Sequence, residues 1–206
     1  MALNAAVAKR YPSLIAELLE HDVEFVAHGL DMGHLHYSGM GAENEDKLIK
    51  QSLEILQKAT GKTITGWLSP ARSQSFDTPN LLASNGIKYC CDWGNDDLPY
   101  AMQTASGKLY SMPLALEADD RAIHMDFFQD ENAWLEQIKA RFDVLYREAK
   151  EYGGRVVSLP LHAWVSGVPY RTGKVQEALS YMLEHDGVWS ANGSDILQAF
   201  MEQQDS

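Results

Sequence analysis

Apolar positions recur along the chain with two alternating periods. From Val7 to Glu20 the residues Val7, Tyr11, Leu14, Ile15, Leu18 and Leu19 return every three or four positions, which predicts one helical face, and Val23 to Ala27 reads as a short strand. Glu43–Thr60 carries Leu48, Ile49, Leu53, Ile55 and Leu56 at helical spacing, with Gly61 as a stop signal, and Ile64–Leu68 is the next strand. Thr78–Asn85, ended by Gly86, and Ile87–Cys91 repeat the unit. Leu109–Leu114 is a further strand candidate in an irregular stretch, and Asn132–Tyr152 is amphipathic through Trp134, Leu135, Ile138, Phe142 and Leu145. Beyond the Gly153-Gly154 stop, Val156–Leu161 reads as a buried strand, Lys174–His185 as a helix leading to Val188-Trp189, and Ser194–Met201 as a last helix.

Repeated helix–strand units imply parallel strands joined by crossover helices, in an open α/β sheet or a β/α barrel. No repeat, low-complexity tract or Pro/Ser linker interrupts the pattern, so residues 1–206 are expected to form a single domain. The balance of 17 basic and 29 acidic residues gives a net charge of −12. Without a local basic cluster, such a chain is expected to bind neither nucleic acid nor a membrane surface. The only two cysteines, Cys90 and Cys91, are adjacent, the wrong arrangement for a disulfide framework or a C-x-x-C metal site. With no signal-peptide pattern near Met1 and no long apolar span, a cytoplasmic setting is expected.

In β/α folds the loops after the carboxyl ends of the strands form the site, so the residues following each predicted strand matter most. His28, Asp31, His34 and His36 follow the first; Ser69, Pro70 and Arg72 the second; Asp92, Trp93, Asn95, Asp96 and Asp97 the third; His162 and Trp164 come after Val156–Leu161. Each has a plainer reading. A strand-end histidine often caps a turn, Arg72 could pair structurally with Asp92, Asp96-Asp97 could be a solvated turn before Pro99, and Trp93, Trp164 and Trp189 could be core or pocket wall. His21, His124 and His185 read as structural. Their joint placement predicts one cleft holding His28, Arg72, Asp92 and His162, walled by Trp93 and Trp164.

At these residues the sequence resembles the polysaccharide deacetylase (NodB-homology) family, in particular its intracellular allantoinase-like branch. Asn4–Gly29 is similar to the helix and strand before that family's first histidine motif, and Thr60–Tyr100 to its arginine and Asp-Trp motifs. Leu159–Trp189 is similar to its terminal histidine motif and closing helix. The blocks Asp92-Trp93, Asn95-Asp96-Asp97, Pro99-Tyr100 and Leu161-His162, Trp164, Ser166-Gly167, Pro169-Tyr170-Arg171 carry the resemblance in combination.

The resemblance implies a distorted (β/α) barrel that hydrolyses C–N bonds other than peptide bonds, on an N-acetylated amino sugar or a cyclic ureide, in carbohydrate or purine-catabolite metabolism. By position, His28 corresponds to the first metal-binding histidine, Arg72 to the arginine that orients the catalytic carboxylate, Asp92 to a supporting acid and His162 to the general acid. Trp93, Asp96 and Trp164 are the substrate-binding candidates. The family's first motif, an Asp-Asp pair at the end of the first strand, has no counterpart, so the chain is expected to start just downstream of it as an N-terminally truncated barrel. Met32 stands where a second metal-binding histidine is expected, and a thioether suits zinc poorly, which leaves His34, His36 or Asp31 as substitutes. Tight zinc is therefore not expected, and turnover is expected to be absent or feeble. The competing expectation is an inactive deacetylase-like binding module, or a fragment of a longer enzyme. An uncovered opening edge would favour a homodimer, unless Met1–Ala8 folds back over it.

Overall fold

Proline and glycine cut the apolar periods into the elements found in the computed structural model, which describes residues 1–204. In chain order they are β1 (Ala2–Leu3), α1 (Ala5–Arg10), α2 (Pro12–Leu19), β2 (Val26–Ala27), α3 (Ala42–Thr60), β3 (Gly66–Trp67), α4 (Thr78–Ser84), β4 (Tyr89–Cys90), β5 (Tyr100–Thr104) and β6 (Gly107–Ser111). Then come α5 (Glu131–Tyr152), α6 (Ala163–Ser166), α7 (Pro169–Leu183) and α8 (Gly193–Gln204). The single helix expected over Val7–Glu20 is two. Pro12 has no N–H to continue the first, and Tyr11 leaves the helical region at φ −126°, ψ 65°.

The chain forms two compact units. One comprises Met1–Trp93, Pro99–Met112 and the chain from Asn192 on; the other comprises Gly94–Leu98 and Pro113–Ala191. The first unit holds a sheet in the order β1-β2-β3-β4-β6-β5, parallel except for β5, which pairs antiparallel with β6. The helices between β1 and β4 are the expected crossovers. In α3, Ile49, Leu53 and Leu56 are buried in the core that also takes Ile15, Phe25 and Trp67. Gly61 stops α3 at φ 67°, where its N–H donates to the Gln57 carbonyl at 2.8 Å. The β5–β6 hairpin was not legible, because its first strand alternates only between half-buried and exposed residues. The strand expected over Leu109–Leu114 runs instead over Gly107–Ser111, since its pairing with β5 begins at the turn and Pro113 lacks a ladder donor.

The second unit is built on α5, whose start is fixed by Asp130: its carboxylate accepts from the Asn132 and Ala133 N–H groups at 3.0 and 2.9 Å. Trp134, Leu135 and Ile138 pack with Ala178 of α7 and with Ala115, Ala118 and Ile123. The helix expected from Lys174 begins five residues earlier, with Pro169 in its first turn. Val156–Leu161 is not the buried strand expected. It joins no ladder, its residues are half-buried or exposed, and Pro160 has no N–H. Three single bonds hold it: Val156 N–H to the Asp97 carbonyl at 2.9 Å, Ala115 N–H to Ser158 Oγ at 2.9 Å, and Asp120 N–H to the Pro160 carbonyl at 3.2 Å. Val188-Trp189 likewise forms no strand.

Within the sheet, Gly66 of β3 lies in register with Tyr89 of β4, and the buried Tyr89 ring fills the space a side chain at 66 would need. Gly66→Ala is therefore expected to destabilise the protein by about 1–3 kcal/mol, as overpacking of a filled core does. A urea-unfolding midpoint lowered at constant slope is the expected readout, and an unchanged midpoint contradicts this packing.

Candidate functional site

In the first unit, β2, β3 and β4 lie side by side and end on three polar residues. His28 follows β2, and its ring Nδ1–H donates to the carbonyl of Leu68, just past β3, at 2.7 Å. A carbonyl can only accept, so Nδ1 carries the proton and Nε2 is the acceptor nitrogen of the neutral ring. Gly29 must follow His28 without a side chain: it has φ 67°, and the Pro70 ring sits where its Cβ would be. Past β3, the Ser69 N–H donates to Asp92 Oδ1 at 2.7 Å, and the Gln74 amide donates to the other oxygen. Asp92, just beyond β4, is buried by this pairing. Arg72 sits in a short turn, Pro70–Arg72, with Ala71 and Arg72 at φ 53° and 54°. Left-handed backbone at two consecutive non-glycine residues is costly, and such strain gathers at functional sites. Trp93 is half-buried against the core.

The residues considered as further metal ligands near His28 are committed elsewhere. His34 pairs with Asp31 at 2.7 Å, and the hydrogen bonds from the His34 ring and the Gly33 and His34 N–H groups hold the exposed Asp31 carboxyl below its usual range. His36 is buried and bonded to Glu45 at 3.0 Å. Met32 is half exposed, its sulfur 4.0 Å from the Asn4 amide. These residues do not fit a three-ligand metal site around His28.

In the second unit, His162 closes the extended segment and heads α6. Its ring Nδ1 lies 2.6 Å from Asp120 Oδ1, and its backbone N–H donates to Asp120 Oδ2 at 2.9 Å. Ser166 Oγ–H donates to the same Oδ2 at 2.6 Å. Asp120 is fully buried, while the His162 side chain stays 36% exposed. A buried carboxylate takes three donors, so the imidazole is fixed in orientation with Nδ1–H inward and Nε2 outward. Asp119 Oδ1 stands 3.9 Å from the same ring nitrogen. Asp119, Asp120 and His162 are the one group of three metal-ligating side chains brought together among the described residues. With Nδ1 donating to Asp120, hydrogen bonding already accounts for that geometry.

Trp164 lies edge-on to His162 at 6.0 Å between centroids and is 61% exposed, a rim rather than a buried wall. Trp189 is exposed as well. Asp96 accepts from the Leu98 N–H at 3.1 Å, so it closes its own turn. It also lines a cleft of about 270 Å³ with Gly94, Asn95, Asp97, Ala115, Glu117 and Arg141. Arg141 bridges Glu117 at 2.7 Å and Asp97 at 3.2 Å. His124 and His185 bond backbone carbonyls, of Gln129 at 2.9 Å and Tyr181 at 2.8 Å, as structural histidines do.

His28, Arg72, Asp92 and Trp93 thus belong to the first unit, and Asp96, His162 and Trp164 to the second. Sequence reasoning missed Asp120 and Arg141. The Asp119-Asp120 doublet was the available signal, but it stands in a stretch without periodicity, 42 positions before its partner.

Residues 1–90 match the polysaccharide deacetylase family. A Schizosaccharomyces pombe protein named for that family is 26% identical over 97% of this chain and 66% of its own length. The peptidoglycan deacetylase of Helicobacter pylori is 24% identical over 87% of this chain and 71% of its own. Among solved structures, the Puue allantoinase superposes with a TM-score of 0.88 at 26% identity, covering 100% of this chain and 69% of that one. The chain therefore spans about two thirds of the length of these relatives. The chain is thus similar to the polysaccharide deacetylase family over its first 90 residues, and it shares the α/β fold of that type along its whole length with a solved allantoinase 26% identical to it.

Proposed function

We propose that the chain serves hydrolysis of a C–N bond other than a peptide bond, on an N-acetylated amino sugar or a cyclic ureide. The carrying observation is the His162–Asp120 pair. With Nδ1–H donated to a buried carboxylate, the outward Nε2 is the atom that can hand a proton to a departing nitrogen. In this reading the acid is the doubly protonated His162 ring: water adds to the carbonyl carbon and gives up one proton to solvent, the C–N bond breaks, the nitrogen leaves with the Nε2 proton, and the ring takes a proton back from solvent at Nε2. Arg72 orients a carboxylate at the site, Asp92 supports the turn that carries it, and Trp93, Asp96 and Trp164 contact substrate. The substrate classes follow the names of the relatives, one a peptidoglycan deacetylase and one an allantoinase.

A second reading, a deacetylase-like module that binds without turnover or a fragment of a longer enzyme, is favoured by the incomplete ligand set around His28. Two free thiols, Cys90 buried and Cys91 half-buried, support the proposal of a reducing, cytoplasmic setting. None of the described helices is long and apolar enough to cross a membrane. As an assembly we propose a two-fold homodimer. Ala2–Leu3 pairs with β2, so the N-terminal segment covers the edge expected to be bare, as the alternative to a dimer had it; the dimer proposal rests instead on β1, which has no second strand partner among the described residues. Such an edge invites pairing with another copy.

Release of acetate from chitotriose and opening of the allantoin ring test the reaction. Whatever the wild-type rate, His162→Ala is expected to lower it by about 10²–10⁴-fold, the usual share of a general acid. Asp120→Asn is expected to lower it about 10²-fold or more by releasing the ring from its tautomer. Turnover indifferent to both substitutions contradicts the assignment, and absence of turnover on both probes favours the binding module. Elemental analysis of protein purified without chelator is expected to find far less than one zinc per chain. One zinc per chain, lost in His28→Ala, overturns that expectation. Light scattering across a dilution series is expected to show a dimer, and a monomer at every concentration removes the dimer proposal.

A further inference from the structure

The strained turn that carries Arg72 has an anchor outside the residues assigned so far. Glu45, in the first turn of α3, is fully buried and ionisable, and burial pushes its carboxyl up. Hydrogen bonds from His36, Ser75 and Thr78 outweigh that effect and hold the group below the ordinary carboxylate range. Its Oε1 accepts from His36 Nδ1–H at 3.0 Å and from the Thr78 hydroxyl, and its Oε2 accepts from the Ser75 hydroxyl. The donors come from both sides of the Arg72 turn. Ser75 and Thr78 follow it directly, and the Ser75 N–H donates in turn to Thr78 Oγ1 at 2.8 Å. His36 reaches the turn by its backbone, whose N–H donates to Ser73 Oγ at 3.1 Å, while that hydroxyl donates to the Pro70 carbonyl at 2.6 Å. The His36 ring also packs edge-on against Trp67, 5.7 Å between centroids, and Trp67 Nε1–H donates to Ser69 Oγ at 2.8 Å.

Two left-handed residues persist only where the surroundings over-determine them. Around Ala71 and Arg72 that over-determination converges on one carboxylate. We propose that Glu45 is a positioning residue: through His36, Ser75 and Thr78 it holds the 69–78 loop in the conformation that presents Arg72 and delivers Gln74 to Asp92. The inference rests on the reading of Arg72 as a working residue, but its geometry is tested without turnover.

Glu45→Gln keeps the volume and replaces one accepting oxygen with an amide NH2, so at least one of the three donors loses its acceptor. In the variant, the Arg72, Ser73 and Ser75 amide protons are expected to exchange with solvent about tenfold faster or more. The Arg72 Nε–Hε resonance is expected to move toward its value in unfolded peptide, while the amides of β3 and β4 keep their protection. Ser75→Ala, which removes one of the Glu45 donors, is expected to act in the same direction more weakly at Arg72 and Ser73. Loop amides and an Arg72 signal that stay at wild-type values, or that loosen only in step with the whole first unit, overturn the proposal. If the loop loosens as expected while Arg72→Ala leaves turnover of chitotriose and allantoin unchanged, the functional reading of Arg72 fails and the positioning role of Glu45 stands.

Discussion

A carboxylate taken out of water must be met by donors, because leaving it unpaired costs several kcal/mol. Three buried carboxylates in this chain meet that requirement in the same way, by drawing a loop around themselves. Glu45 gathers His36, Ser75 and Thr78; Asp92 gathers the Ser69 backbone and Gln74; Asp120 gathers the His162 ring, the His162 backbone and Ser166. The strands β2, β3 and β4 beneath the first unit's loops are only two residues long, and Val156–Leu161 in the second unit joins no ladder. Regular backbone pairing does little to fix the loops that bear the candidate residues. Charged hydrogen bonds, each roughly twice as strong as neutral ones, do it instead.

This division of labour explains what each unit contributes. In the first, the apolar core under α3 places β2, β3 and β4 side by side, so His28, Ser69 and Asp92 emerge at neighbouring strand ends. The carboxylates then set the finer geometry, including the left-handed turn at Arg72. In the second, α5 and α7 form the apolar platform, and Asp120 fixes one imidazole above it with a single nitrogen turned outward. Both are arrangements of a rigid support plus a satisfied charge, the condition under which a side chain can be held for chemistry.

The parts of the fold set by periodicity were legible. α3, α4 and α5 begin and end within one or two residues of the apolar pattern and its glycine stops, and β2, β3 and β4 lie inside the predicted strands. Elements set by tertiary pairing were not: β5 shows no buried alternation, and Val156–Leu161 has the composition of a strand but a proline and no neighbouring ladder. For the site, the strand-end rule singled out His28, Arg72 and Asp92, which follow β2, β3 and β4, and it reached His162 through Val156–Leu161, which forms no strand. It did not find Glu45 or Asp120, since one sits at an ordinary helix start and the other in an irregular stretch. A residue's burial among donors from distant segments leaves no local mark. His36, by contrast, was visible as a histidine after β2, and only its pairing with Glu45 shows that it supports a loop.

Buried carboxylates dictate the state of the groups they hold, and the tautomer of His162 reads this directly. Nitrogen-15 NMR of the neutral imidazole distinguishes the two ring nitrogens by their shifts and proton couplings. The account predicts that Nδ1 carries the proton, facing Asp120, with Nε2 bare. A neutral ring protonated predominantly on Nε2 would contradict it.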